Sequence, residues 1–426
     1  MKTLLNIVLI IAVASYSFAQ SQPKILLVNG FLHTGNGETM ESALIAVENG
    51  KISFIKNSLA YSYNPDEWDT IVELNGRHIY PGFVASNSTL GITEIDAVRA
   101  TRDFDEVGVY NPHVRAQTAF NVESKVVQTV RTNGVLISQA TPRGGIISGS
   151  SSIMKLDGWN WEDVTITKDD GVHLNWPKSL QNRRKERNET YEEKKKDVFA
   201  FFSMAEAYAR SLQNDQTFDA RLAAMRACFK GNKRVYIHAN ELQQLVDIIE
   251  FSKFFKLKFP VIVGGYDAHI IGRKLADAKI PVMLKRPHSL PEKEEDDIDL
   301  PYKLPYLLHK EGVKFCIQNE GDMEAMNGRN LPFLAGTAAA YGLSEEEAIS
   351  SISLWSCEIL GIDKQYGSLE KGKSATLFVS DGNALDMRSN NLFLALIDGQ
   401  FMSLENSQTI LYHKYQNKYK KKEEAK

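Results

Sequence analysis

Two side chains in this sequence are well placed to move a proton. His238 lies near the end of the apolar run Val235-Tyr236-Ile237-His238-Ala239, and Glu320 follows Phe315-Cys316-Ile317-Gln318-Asn319. Imidazole titrates near neutral pH and a carboxylate can take a proton, so the two suit general acid–base work. The plainer readings are a hydrogen-bonded core histidine and a solvated acidic loop. Arg286 and His288 follow the run Pro281–Leu284 and suit contact with a substrate, and Arg329 follows Glu320 at a short distance. Upstream, Glu94, Asp96, Arg99, Arg102 and Asp103 crowd one loop. Such a mixture reads first as an ion-pair network, although paired arginines can grip a carboxylate through two parallel hydrogen bonds. Thr141–Ser150 (TPRGGIISGS) is a glycine-rich turn able to offer backbone N–H groups to an anion; it lacks the GK[ST] ending of a nucleotide-binding loop.

The three cysteines, Cys228, Cys316 and Cys357, are far apart and show no CxxC or Cys/His spacing, so a cysteine-based zinc site has no support. Cys316 and Cys357 sit in apolar segments and read as core. A net charge of −3 gives no reason to expect a nucleic-acid partner. The first 19 residues read as a signal peptide: Lys2, an apolar run from Leu4 to Val13 too short to span a bilayer, and a Ser17-Phe18-Ala19 cleavage site. Export to a bacterial periplasm or the extracellular space is therefore expected, without a membrane span.

The elements that must position these residues fall into three blocks. Lys24–Asn29, Ser42–Glu48, Lys51–Ile55, Ile71–Leu74 and His78–Tyr80 read as strands, with Asn49-Gly50 as a hairpin turn. From Pro81 onward, apolar strands (Gly134–Ala140, Arg234–Ala239, Pro260–Gly264, Pro281–Leu284, Lys314–Ile317) alternate with helical segments (Asp197–Ala209, Glu241–Phe255, Ala268–Ala278, Leu331–Tyr341, Glu345–Leu354), the pattern of a parallel sheet with helices outside it. The end returns to strands at Ala375–Val379 and Leu392–Ile397, the latter leading to an Asp398-Gly399 turn. The expected division is 20–80 and 364–415 as two parts of one small β-domain, 81–363 as an inserted barrel, and 416–426 as a disordered basic tail.

This order, with its motifs, resembles the amidohydrolase superfamily. Lys24–Gly30 (KILLVNG) is similar to its opening strand, Gly76–Val84 (GRHIYPGFV) to the lead into its first barrel strand, Ala348–Gly361 (AISSISLWSCEILG) to its last barrel helix, and Gly367–Ala375 (GSLEKGKSA) to its C-terminal β segment. Together the matches span nearly the whole chain after residue 19 and look closest to the imidazolonepropionase- and prolidase-related branch. The resemblance implies a distorted (β/α)8 TIM-like barrel with a small β-sandwich, and hydrolysis of C–N bonds in cyclic amides or small peptide-like substrates.

It also implies a metal site, and here the sequence departs from the pattern. The family's His-x-His falls on Asn87 and Thr89, and its strand-6 histidine on Gly264 or Gly265, with His269 just beyond. Its strand-5 histidine is kept as His238 and its strand-8 aspartate becomes Glu320. Lys155 is the lysine nearest to the place of its carboxylated lysine. His238 and Glu320 leave at most a reduced site for one divalent ion such as zinc, with Asn87, Thr89, Arg286 and His288 to orient a substrate; no cofactor at all is the other expectation. A non-catalytic small-molecule-binding protein on the same fold is the rival reading, and self-association into a homo-oligomer stays open.

Overall fold

The structure is a computed structural model that describes residues 22–181, 186–211 and 217–423. The signal-peptide expectation lies outside these residues. Eight strands form one sheet in the spatial order 83–88, 135–140, 147–155, 165–175, 234–239, 260–264, 282–284 and 315–317. Seven run parallel and Ile147–Lys155 runs against its two neighbours. First and last strands are joined by side chains and an intervening loop: the Asn87 amide donates to Gln318 Oε1 (3.1 Å), and the Val84 N–H reaches the Ile352 carbonyl (2.8 Å). The result is a nearly closed barrel, as expected.

Inward residues fill the lower half of the barrel with apolar atoms. Val84, Ile137, Ile153, Tyr236, Val263 and Met283 pack together, and Cys357 and Ile359 of the helix Leu354–Leu360, with Tyr366 beyond it, plug the end. All three cysteines are buried and unpaired. No helix among the described residues is long and apolar enough to cross a membrane.

Thr165–Asn175 is a barrel strand that sequence patterning passed over, because Asp169-Asp170-Gly171 looks like a turn. Asp169 does adopt φ +50°, yet the strand continues. Gly171 is needed there: a Cβ would stand 2.1 Å from the Tyr236 ring. Gly171→Val should therefore displace Tyr236 and cost about 1–3 kcal/mol, as overpacking does, measurable by urea unfolding.

Strands from both ends of the chain share a second sheet, ordered 400–401, 392–397, 377–380, 78–81, 25–33, 39–48 and 51–57, with 70–73 beside 25–33. Both hairpin turns form as expected, with positive φ at Asn49, Gly50, Asp398 and Gly399. Lys155 ties this sheet to the barrel through Asp398 (2.9 Å), which also accepts from Ser374 and Tyr366. Lys155 thus belongs to a structural joint and not to the barrel mouth. The tail also departs from expectation: Ser407–Glu423 is one helix. Its lysines and glutamines up to Lys420 are straight-chain helix formers, and Thr129 anchors its first turn through Gln408 (3.1 Å).

Candidate active site at the barrel mouth

His238 ends its strand where expected, at the C-terminal side of the barrel on which chemistry sits in such folds. Its Nε2 lies 2.9 Å from Nδ1 of His173, a residue of the overlooked strand that stacks on Tyr236 (4.7 Å between centroids). The pairing is possible because Asn175 and His238 stand in register on adjacent parallel strands. His173 Nε2 is buried without a partner. Burial drives the His238 pKa down to about 4, with Glu320 opposing and Arg143 assisting; burial, His238, Arg143 and Lys233 hold His173 well below the usual imidazole value.

Both histidines are thus neutral in the folded protein near pH 7. When pH falls below 6.5 the unfolded chain protonates them while the folded one resists. Their stabilising contribution is complete above pH 6.5 and drains away toward pH 4. Melting temperature should drop across that window, and His173→Phe, which keeps the stacking and removes the titration, should flatten the slope.

A second set of contacts organises the mouth around an arginine. The glycine-rich segment makes a tight turn with Gly144 and Gly145 at positive φ, and it delivers a side chain: Arg143 reaches back over the first strand. Its guanidinium donates to Asn87 Oδ1 (3.0 Å), to the Asn87 carbonyl (2.9 Å) and to Glu324 Oε1 (2.7 Å). Asn87 sits at φ +50°, in a ladder whose register shifts between Ala85 and Ser88, so the simple alternation that would aim Asn87 and Thr89 to one side is broken. The Asn87 amide passes the chain of bonds to Gln318 Oε1, and Gln318 Nε2 donates to Glu320 Oε2 (2.9 Å). Burial raises the Glu320 pKa, but His238, Arg143 and the Gln318 bond outweigh it and hold the carboxyl below its usual value.

Below this lies buried Asp170, also on the overlooked strand. Tyr236, Ser151 and Gln139 donate to it at 2.7, 2.8 and 2.9 Å, and Gln139 accepts from the Asn87 N–H (3.0 Å). Burial raises the Asp170 pKa despite these three bonds. One polar network thus runs from the barrel floor to Glu320.

Arg286 comes in from the segment just after the strand Val282–Leu284. Its guanidinium packs on Gly321, where a Cβ would lie 2.8 Å from Cζ, and its Nε is buried without a partner. Beside Arg143 a cleft of about 510 Å³ is lined by Thr89, Asp96, Arg102, Phe104, Asp322 and Glu324, among others. Thr89 is buried with its hydroxyl unbonded, and Arg102 Nε and Asp96 Oδ2 are likewise unpartnered.

Other expectations fail on geometry. Asn87 is 1% exposed and spends its whole amide within the protein, so it supports the floor instead of meeting a substrate. His288 turns away, bonding Thr337 Oγ1 (2.6 Å) in an outer pocket with Phe333 and Met387. The loop charges do not pair with one another: Glu94 accepts from Asn121 and Ser124, and Arg102 lies over Phe104. His269 contacts the Tyr266 carbonyl, and the Arg329 carbonyl accepts from Asn133, away from the mouth.

Asn87 Oδ1 is held by Arg143, His238 Nε2 faces another histidine, and among the described residues no three His, Cys, Asp or Glu side chains converge on one point. The sequence motifs missed His173, Asp170, Gln139, Arg143 and Gln318. The one available signal was Val172-His173-Leu174, a histidine flanked by apolar residues as in the His238 strand.

No family model and no curated protein sequence matches the chain. Solved structures do. An amidohydrolase from Thermotoga maritima is 23% identical over 89% of this chain and 99% of its own, with a TM-score of 0.79. A prolidase crystallised with N-methylphosphonate-L-proline is 12% identical over 89% and 99%, TM-score 0.53. An adenosine deaminase from Xanthomonas campestris, described with bound zinc, is 12% identical over 92% and 97%, TM-score 0.54. The chain has the amidohydrolase fold.

Proposed function

We propose that the protein is an exported hydrolase of C–N bonds in a cyclic amide or small peptide-like substrate, working without a metal, with Glu320 as its proton carrier, His238 as the group that positions water, and Arg143 and Arg286 as fixed cations. The observation that carries this reading is the gathering of Glu320, His238 and two arginines at one mouth, with the Arg286 Nε buried and unpartnered. Glu320, held ionised, takes a proton from water as the water oxygen bonds to the carbonyl carbon. The developing oxyanion faces Arg286. Collapse breaks the C–N bond, and the proton on Glu320 passes to the leaving nitrogen, giving a carboxylic acid and an amine. Neutral His238 orients the water through its free Nδ1. Among the neighbours, the prolidase and the adenosine deaminase support C–N chemistry on this fold.

A second reading, a binding protein without catalysis, is favoured by the Arg143–Asn87–Gln318 network, which commits polar groups to one another. Purified protein should be offered N-acyl amino acids and cyclic amides and amine release followed. Turnover supports the hydrolase. Saturable binding without turnover supports the second reading, and neither result would contradict both.

Export rests on the first 19 residues, and a mature chain starting at Gln20 by N-terminal sequencing is the expected outcome. We read the terminal sheet as the expected sandwich, curled on itself, because Ile25, Leu27 and Ile45 share a core with Leu377, Val379 and Leu396.

A further inference from the structure

At the other end of the barrel, four neighbouring parallel strands start side by side at Arg234, Pro260, Val282 and Phe315. Their N-terminal ends frame a cavity of about 400 Å³, lined by Arg234, Lys258, Phe259, Lys279, Lys314 and Glu358 with apolar residues between them. That volume suits a small organic ligand. The charge is unbalanced: four cationic side chains face one carboxylate. Glu358 is taken by Lys314 (2.6 Å) and Arg234 Nε by the Ile359 carbonyl (2.6 Å), whereas Lys258 and Lys279 make no ion pair among the described residues. The floor is apolar, with Leu275, Ile280 and Pro281, and Phe259 stays 38% exposed between the Arg234 and Lys258 cations (5.3 and 5.0 Å). Exposed aromatic surface and two uncompensated lysines in one concavity call for a single molecule that supplies both an apolar body and a negative head.

We propose that this cavity binds an amphipathic anion, its carboxylate or phosphate head between Lys258 and Lys279 and its hydrocarbon body on Phe259, Leu275 and Ile280. The site lies at the opposite end from the mouth and does not depend on the hydrolase reading. Gly361 is part of its construction, since a Cβ there would lie 2.0 Å from the Arg234 guanidinium that flanks Phe259.

The test is calorimetric titration of the full chain with decanoate, octyl phosphate, octanol and inorganic phosphate. The two amphiphilic anions should bind saturably, and octanol and inorganic phosphate at least about tenfold more weakly. Preference between decanoate and octyl phosphate tells a free carboxylate ligand from a phosphate head. The double variant Lys258→Glu/Lys279→Glu should weaken the anions at least about tenfold with unchanged circular dichroism; both lysines are exposed, so folding is not at risk. Absence of saturable binding, equal binding of octanol, equal binding of inorganic phosphate, or indifference to the double variant would each overturn the proposal.

Discussion

Arg143→Met is expected to destabilise the protein by about 3–5 kcal/mol, the usual cost of leaving one member of a buried ion pair alone. Arg143 and Glu324 are only 21% and 11% exposed, and the guanidinium also satisfies two oxygens of Asn87. Its removal strands the Glu324 carboxylate and leaves Asn87 at positive φ without the contacts that hold it there. Arg143→Lys should recover only part of the loss, because an ammonium cannot span the Asn87 carbonyl, the Asn87 amide oxygen and Glu324 together. Adding Glu324→Gln to Arg143→Met should restore stability relative to the single variant, since the stranded charge is gone. Urea unfolding measures all three; a loss below about 0.5 kcal/mol for Arg143→Met, the size of an ordinary surface change, would show that the guanidinium does not organise the mouth.

Glu320→Gln is expected to lower kcat about 10²–10⁴-fold with little change in KM, as removal of a general base does. The substitution keeps shape and leaves an oxygen to accept from Gln318 Nε2. His238→Asn should lose less, since His238 orients water and does not accept its proton in the proposed step. A Glu320→Gln enzyme with wild-type kcat would remove the carboxylate from the chemistry, and a change confined to KM would make it a binding group.

The fold was legible because its signals are periodic and local. Arg234–Ala239, Pro260–Gly264 and Leu392–Ile397 are strands with the expected bounds, and Asn49-Gly50 and Asp398-Gly399 turn their hairpins. Thr165–Asn175 was not legible because its turn-like Asp169-Asp170-Gly171 is explained only by tertiary contacts: a buried carboxylate with three donors, and a glycine under the Tyr236 ring. The site was half legible for the same reason. His238 and Glu320 stand at strand ends and are found by position alone. Their partners His173 and Arg143 come from two other segments, and no spacing rule links residues that meet only when a barrel closes; Gln318 lies two residues before Glu320 in the same segment. Asn87 was correctly located, but a bulge and a left-handed conformation turn its amide into the protein, whereas Thr89 lines the cleft with its hydroxyl unbonded.

The central claim is that a guanidinium network, and not a metal ion, organises this barrel mouth. Metal content of protein purified without chelators tests it most directly. The account predicts far less than one zinc, manganese or iron per chain, with melting temperature unchanged by adding a chelator. Near-stoichiometric metal that a chelator removes with loss of stability would contradict it.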